Sequence, residues 1–488
     1  DQKSRVGNQT EDKQVYQKPV PRDIWRHEAE ITGLTPGQEV DYQVISKSRN
    51  GGEANSIVYH LEPTPQPGKS VKILLTSDHQ LKSMTPANLQ KAKETAGEID
   101  AVFMAGDLIN IPDRASEWFD DNRGGAFFPA FQGRANYEIE KNGVKTAYRG
   151  GEIIQEAPIF TAIGNHEVMG RRGKSENLNG EYNDAIPREV AQNLYGESSF
   201  KANSFNTDTY EEIFSLPESN TGGEKYYATT FGDVRLVVLN ATNIWRGPSL
   251  ESDTKGKYRE READFENPEQ WGYGQHIFEP IDKGSPQYNW LVEELNSSEF
   301  QQAKYKVVML HHPVHSLGEN IVPAYTNPVQ TIEKDDSGKI KSIKYEYPLE
   351  EDYLIRDVVP LLEENNVQLV FYGHSHLWNR FKSESGVNFL ESSNVGNSYG
   401  AYLGEKKRNV PQGYKEKYIE VGDPNGLEPI VPSIQPLKGE DGKPLPYITS
   451  KDITVFSILD TEKGTVDSYY FDTTKAKNEV VKFDEFKL

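Results

Sequence analysis

Cysteine is absent from the whole chain of 488 residues. That excludes disulfides, thiolate metal sites and a cysteine nucleophile. Any metal must then be held by imidazole, carboxylate and amide groups. Long apolar runs are missing as well. Nowhere do about 18 apolar residues follow one another, so no transmembrane helix is expected. Positive charge is in short supply: 54 Lys and Arg stand against 75 Asp and Glu, a formal net charge of −21. A field of that sign repels nucleic acid and anionic membranes, so no nucleic-acid binding is expected. A site for an anionic substrate has to bring its own positive charge, and divalent cations would supply it. The chain opens at Asp1 without an apolar leader, as a processed or trimmed chain does. With the lack of cysteine, this suggests a bacterial periplasmic or secreted protein whose signal segment is absent from this chain.

What is present divides the chain in two, as its length leads one to expect. Residues 1–66 form the first part. There the turn cluster Gly33-Leu34-Thr35-Pro36-Gly37 precedes Val40, Tyr42 and Val44, which alternate with Glu39, Asp41 and Gln43. That is the period of a half-buried strand. Residues 56–61 are a second strand candidate. Pro63, Pro65 and Pro67 then stiffen a linker. The pattern resembles a fibronectin type III repeat. It is too short for a full sandwich of roughly 100 residues, so a reduced or incomplete β-rich module is expected.

Residues 67–488 follow another grammar. Apolar strands are predicted at 71–76, 101–105, 159–163, 234–239, 305–310 and 367–372. Helical patterns alternate with them, one beginning at Thr85-Pro86 with a capping hydroxyl and running to about Thr95. Such alternation predicts a layered α/β domain. Three polar segments, 246–280, 317–350 and 400–450, are longer than ordinary loops. They either shape substrate access or decorate the surface.

The strand ends carry the chemistry. They deliver Asp78-His79-Gln80, Gly106-Asp107, Gly164-Asn165-His166-Glu167, His311-His312 and Gly373-His374-Ser375-His376. Carboxyl ends of strands in α/β sheets are where ligand sites gather. Seven of the ten histidines sit in or beside these motifs. Each motif alone is weak, and their order and spacing together are not. Residues at i and i+2 of an extended segment share a side, so Asp78 pairs with Gln80 and His374 with His376. His79 should point away. A glycine before Asp107, Asn165 and His374 lets the backbone turn sharply behind each ligand. Two divalent ions held this way would neutralise a phosphoester and activate water near neutral pH.

The series resembles the signature of calcineurin-like metallophosphoesterases, in the branch of the purple acid phosphatases. That resemblance implies an α/β-β/α sandwich and hydrolysis of phosphate esters by a hydroxide that a dinuclear metal centre holds. Asp78, Gln80, Asp107 and His376 would hold one ion, and Asp107, Asn165, His311 and His374 the other. His166 would act as general acid, oriented by Glu167. Asn165, His312 and Arg380 would contact a small phosphoester, and Arg171, Arg172, Arg246 and His315 are weaker candidates. Gln80 stands where most relatives carry His, which shifts preference away from zinc toward manganese, iron, magnesium or calcium. Asn110 stands where the purple enzymes carry their iron-binding Tyr, so a colourless protein is expected. A phosphomonoesterase is the leading reading, followed by a phosphodiesterase or nucleotide hydrolase. A non-catalytic binding protein on the same scaffold is the rival, and a purely structural calcium ion at the first site is a third possibility.

Overall fold

The computed structural model describes residues 3–4, 20–173, 177–246, 257–322, 324–409, 419–475 and 479–488. Parts of the expected front module and of the long segments 246–280, 317–350 and 400–450 therefore lie outside the described residues.

Two sheets pack face to face. The six-stranded sheet runs in the order Ile159–Thr161, Ala101–Met104, Lys72–Thr76, Ile453–Asp460, Thr465–Asp472, Val481–Lys487. Its first three strands are parallel and the rest antiparallel. The seven-stranded sheet runs Tyr227–Phe231, Val234–Val238, Tyr305–Met309, Leu369–Tyr372, Asn388–Ser392, Trp378–Lys382, Tyr447–Ile448. Parallel pairing unites Val234–Val238 through Asn388–Ser392.

Alternation along each central strand explains the layers. Ile73 and Leu75 join Phe103, Leu236, Val307, Met309 and Phe371 between the sheets. Leu74 and Val102 face the other way, onto Leu89, Ala92 and Ala96 of the helix Thr85–Ala96. Val237, Val308 and Val370 likewise cover Trp290, Leu291 and Leu295 of the helix Pro286–Leu295. Strands covered on both faces must be apolar throughout, which is why they read as continuous hydrophobic runs. Each fully buried aliphatic side chain contributes about 1.5–3 kcal/mol.

The first helix differs in detail from the sequence expectation. Met84 is its N-cap and makes no side-chain cap. Thr85 is already helical, and its hydroxyl donates to the carbonyl of His79 instead. Ser285 does cap the second helix, accepting from Tyr288 N.

In the front region Val40–Tyr42 pairs with Tyr59–Leu61 and Ile45–Lys47 with Glu53–Asn55. These are two short ribbons. Val44, Ile45, Ile57 and Val58 remain at least half exposed. Val44, read as a core-facing strand position, lies outside the strand.

The long segments are built elements where described. Val329–Lys334 and Ile340–Glu346 form a hairpin. Ile343, Tyr345 and Tyr347 pack with Tyr258, Trp271 and Tyr273 in a small core of their own. Glu260 ties this lobe together, accepting from Gly272 N, Tyr273 N and the Tyr345 hydroxyl. Among the described residues no helix is long and apolar enough to cross a membrane.

Candidate active site

The ends of five parallel strands, three from one sheet and two from the other, converge on one cleft. Asp78, Asp107, Asn165, His311 and His374 follow them in turn. The cleft has a volume of about 670 Å3, and Gln80, Asp107, Asn165, His166, His374 and His376 line it. Asp107 sits at the centre. Asp107, His311 and His374 form one group of possible metal ligands, and Asp78, Asp107 and His376 a second, each with its donor atoms within 4.8 Å of one another. One carboxylate shared by two adjacent donor sets is the geometry of a dinuclear site.

The surroundings aim these donors. His311 Nδ1 donates to Ala105 O at 2.7 Å, which turns Nε2 toward Asp107 Oδ1 at 3.2 Å. His376 Nδ1 donates to Asn397 O at 3.1 Å and turns Nε2 to Asp78 Oδ1, also at 3.1 Å. Fixing a ring nitrogen in this way is how metal-ligating histidines are oriented. The other oxygen of Asp78 accepts from His374 N at 2.9 Å, tying the two sheets at the site. Asn165 Oδ1 is buried and has no hydrogen-bond partner among the described residues, and buried Asp78 Oδ1 meets only the His376 ring there. An unpaired acceptor of this kind is costly without a ligand, and together with Asp78 and the imidazoles it is a donor set that suits divalent cations. Gln80 meets Asp107 Oδ2 through its amide nitrogen, at 2.6 Å. A half-turn of that amide would present its oxygen instead.

Electrostatics agree. Burial opposes charge on His311, yet Asp107 overcomes it and holds the imidazole up to about 10. Asp107 in turn lies well below the usual carboxylate range, its own burial outweighed by His311 and His166. His374 is held well below its ordinary value by burial and by the neighbouring imidazoles.

His166 stands at the edge, Nε2 3.9 Å from Asp107 Oδ2. Its Nδ1 lies 2.7 Å from Asn110 O and 3.0 Å from the Tyr182 hydroxyl. Burial pushes the ring down to about 4. Glu167 does not reach His166. Its carboxylate accepts from the backbone N–H of Asp107, Leu108 and Gly164, each at 2.8 Å. The expectation that Glu167 orients His166 is therefore corrected: it holds the two ligand loops together. Burial and the Asp107 charge push it up to about 8.

Other expectations change too. Arg380 does not enter the cleft. It is buried and makes a two-pronged ion pair with Asp484, at 2.9 and 3.2 Å. His312 is also buried away from the cleft, among Trp245, Phe278 and Tyr325, and burial pushes it down to about 3. His315 bonds Asp423 at 2.8 Å and anchors the segment after residue 419. His79 points away from the cleft into the core, onto Thr76 and Phe131. Arg171 pairs with Asp184, and Arg172 lies near Asp208. Arg246 does line the cleft, but its guanidinium is spent on the carbonyls of Asn165, Val168, Tyr182 and Trp245.

The glycines act differently from expectation. Only Gly106 of the three has positive φ. A Cβ on Gly164 would lie 2.3 Å from Asp107 Oδ1, and one on Gly373 2.2 Å from Asp78 Oδ2. These glycines make room for the carboxylates. The left-handed backbone belongs to the ligands: Asp78, Gln80, Asp107, His374 and His376 all have positive φ.

Sequence reasoning missed Tyr182, Trp245, Asn397 and Tyr399. Trp245 packs edge-on against His374 at 4.9 Å and accepts from Asn165 Nδ2. Tyr399 stacks on His376 at 4.6 Å. Tyr182 comes from the helix Leu178–Asn183, Trp245 from the end of the strand Thr242–Trp245, and Asn397 and Tyr399 from a loop, and no motif marks any of them.

Residues 71–377 match the family described as calcineurin-like phosphoesterase. No curated protein sequence matches the chain. Among solved structures the chain is similar to purple acid phosphatase PPD1 from yellow lupin, Lupinus luteus, with a TM-score of 0.50 and 14% identity over 93% of this chain. It spans 60% of that chain's length. PhoD is matched with a TM-score of 0.41 at 14% identity, covering 92% of this chain and 75% of PhoD. A dimetal phosphatase from Danio rerio follows at 0.36 and 11%, covering 85% and 98%. Identities this low speak to the fold alone.

Proposed function

Since the chain belongs to the calcineurin-like phosphoesterase family, we propose that its cleft hydrolyses small phosphate monoesters with two divalent cations as cofactors. The observation that carries this reading is the pair of donor groups sharing Asp107. Two bound cations would neutralise the phosphoryl oxygens and lower the pKa of the attacking water. The oxygen of water forms a new bond to phosphorus, and the bond to the ester oxygen breaks with its electron pair. The leaving oxygen then takes up a proton, giving an alcohol and inorganic phosphate.

The residues of this chain supply positioning and the proton. Asn110 O accepts from Nδ1 of His166, so Nε2 is the free nitrogen on the Asp107 side. Burial favours the neutral form of that ring. An anionic phosphoryl group beside it favours the protonated form, and Nε2 can then donate to the leaving oxygen. Tyr182 and Arg246 keep the Asn165-His166 turn in place: Arg246 stacks on the Tyr182 ring at 3.5 Å while bonding Asn165 O. Gln80 in place of an imidazole favours manganese, iron or magnesium over zinc. The open cleft of about 670 Å3 also admits diesters and nucleotides, which are the second reading.

The test is hydrolysis by metal-stripped protein re-supplied separately with manganese, zinc, iron, magnesium and calcium, on a chromogenic monoester and a chromogenic diester. Activity should return with metal, favour the monoester, and fall by at least about a thousandfold in Asp107→Asn, as loss of a central electrostatic group does. A preference for the diester selects the second reading. Metal binding without turnover of either ester would make the chain a binding protein on this scaffold.

A further inference from the structure

What His166 can do depends on which of its ring nitrogens is tied down. Two groups reach Nδ1: Asn110 O at 2.7 Å and the Tyr182 hydroxyl at 3.0 Å. A hydroxyl donates or accepts as its partner requires, whereas a carbonyl oxygen only accepts. Asn110 O is therefore the contact that keeps a proton on Nδ1 and leaves Nε2 on the Asp107 side. Backbone makes this contact, so the loop must aim it.

Asn110 O belongs to the same planar unit as the N–H of Ile111, and in a trans peptide the two point opposite ways. Ile111 N donates to Glu117 Oε2 at 3.0 Å, and Asn110 N donates to the same oxygen at 2.7 Å. With the N–H end of the plane held on Glu117, its carbonyl end is turned onto His166. Glu117 lies in the short helix Ala115–Phe119 and is fully buried. Its other oxygen pairs with the guanidinium of Arg114, which is buried as deeply. A buried ion pair is often no more stable than apolar side chains of the same volume. Stability alone does not account for a carboxylate at this place, and the peptide it grips does.

We propose that Glu117 is a positioning residue for His166, acting through the peptide between Asn110 and Ile111 to hold the ring with Nε2 toward the leaving oxygen. This rests on the phosphoesterase reading of the cleft.

The experiment compares the native chain with Glu117→Ala and Glu117→Gln by two readouts. Nitrogen NMR of the histidine-labelled, magnesium-loaded protein reads the tautomer of His166, its signals assigned by their loss in His166→Asn. Kinetics of the manganese-loaded protein give kcat and KM for phenyl phosphate, a poor leaving group, and para-nitrophenyl phosphate, a good one. Glu117→Ala should lose the single Nδ1–H tautomer. Its kcat for phenyl phosphate should fall about a hundredfold, as a small misplacement of a reacting group costs. Its kcat for para-nitrophenyl phosphate, whose leaving oxygen needs little protonation, should fall by less than about tenfold, with both KM values unchanged. Glu117→Gln keeps an oxygen for Asn110 N and Ile111 N, so tautomer and kinetics should stay native while the lost ion pair lowers the melting temperature. If Glu117→Ala does not fold, the double variant Arg114→Met, Glu117→Met replaces the pair by apolar side chains and is read in the same way. A native tautomer in the folded variant, or an equal fall for both esters, overturns the proposal. A native chain that hydrolyses neither ester, with a tautomer that still depends on Glu117, would overturn the phosphoesterase reading and support the positioning of His166.

Discussion

Substituting Glu167 separates two accounts of this site. Its Oε2 accepts from Asp107 N and Gly164 N, and its Oε1 from Leu108 N. In Glu167→Gln one oxygen becomes an amide nitrogen. The side chain retains most by keeping its oxygen on the Asp107 and Gly164 pair, which sets N–H against the N–H of Leu108. One hydrogen bond is lost, worth about 0.5–1.5 kcal/mol, and a buried donor is stranded at about 1–3 kcal/mol. The expected destabilisation is therefore about 2–4 kcal/mol, read from denaturant midpoints of the metal-stripped protein at constant slope. Metal affinity should fall with it, since the loops that aim Asp107 and Asn165 lose their common anchor. If Glu167 instead served His166, stability would hold while kcat fell and the pH–rate profile changed shape. Stability within about 1 kcal/mol of the native chain would refute the anchoring argument, because that is the size of one ordinary hydrogen bond.

Two further outcomes follow from buried charges outside the donor set. Burial pushes Lys257 down to about 8, and its ammonium donates to Val322 O at 2.8 Å. Below pH 8 both folded and unfolded chains hold the proton, and the folded state carries the desolvation cost. Between pH 8 and about 10.5 only the unfolded chain holds it, so the native chain gains stability as pH rises. Lys257→Met should therefore be more stable by ~2 kcal/mol at pH 7, after allowing for the lost hydrogen bond, with the gap closing toward pH 10.5. A gap that stays constant from pH 7 to 10.5 would refute this. Arg380→Ala should cost about 3–5 kcal/mol by stranding Asp484, as the breaking of a buried pair does. It should leave KM for phosphoesters unchanged, and a raised KM at unchanged stability would return Arg380 to the substrate.

The sheets and the centre of the site were legible because burial on both faces writes itself into sequence. A strand such as Lys72–Thr76 must be apolar throughout, and the polar residues that follow it stand out sharply. Alternation also set His79 apart from Asp78 and Gln80, although these two residues are left-handed rather than extended. It failed for residues whose partners come from elsewhere in the chain. Arg380 follows the last histidine motif closely and so read as a substrate contact, yet the strand Trp378–Lys382 turns it toward Asp484, 104 residues on. Glu167 is adjacent to His166 and so reads as its partner, but it meets Asp107 N and Leu108 N of the preceding loop and Gly164 N of its own. Tyr182, Trp245 and Tyr399 carry no spacing or composition signal at all. Only the packing of a short helix, a short strand and a loop brings them to the cleft.

The backbone of the donor loops explains why those supporting carboxylates exist. Five candidate ligands occupy the left-handed region, which costs a non-glycine residue roughly 1–2 kcal/mol each. Glycine would relieve that strain, but these positions need side chains to meet one another at the centre. The glycines sit beside them instead, where a Cβ would strike a carboxylate oxygen. Strain of this kind persists only when surrounding contacts over-determine it. Here a second buried carboxylate does for the later histidine motif what Glu167 does for the earlier loops. Glu391 accepts from Ser375 N between His374 and His376, and from the hydroxyls of Ser316 and Ser393. Burial pushes it, like Glu167, up to about 8. Two carboxyl groups kept out of water at such cost, each bonded to the backbone of a strained ligand loop and neither within the donor groups themselves, are the counterweight that holds those donors in place.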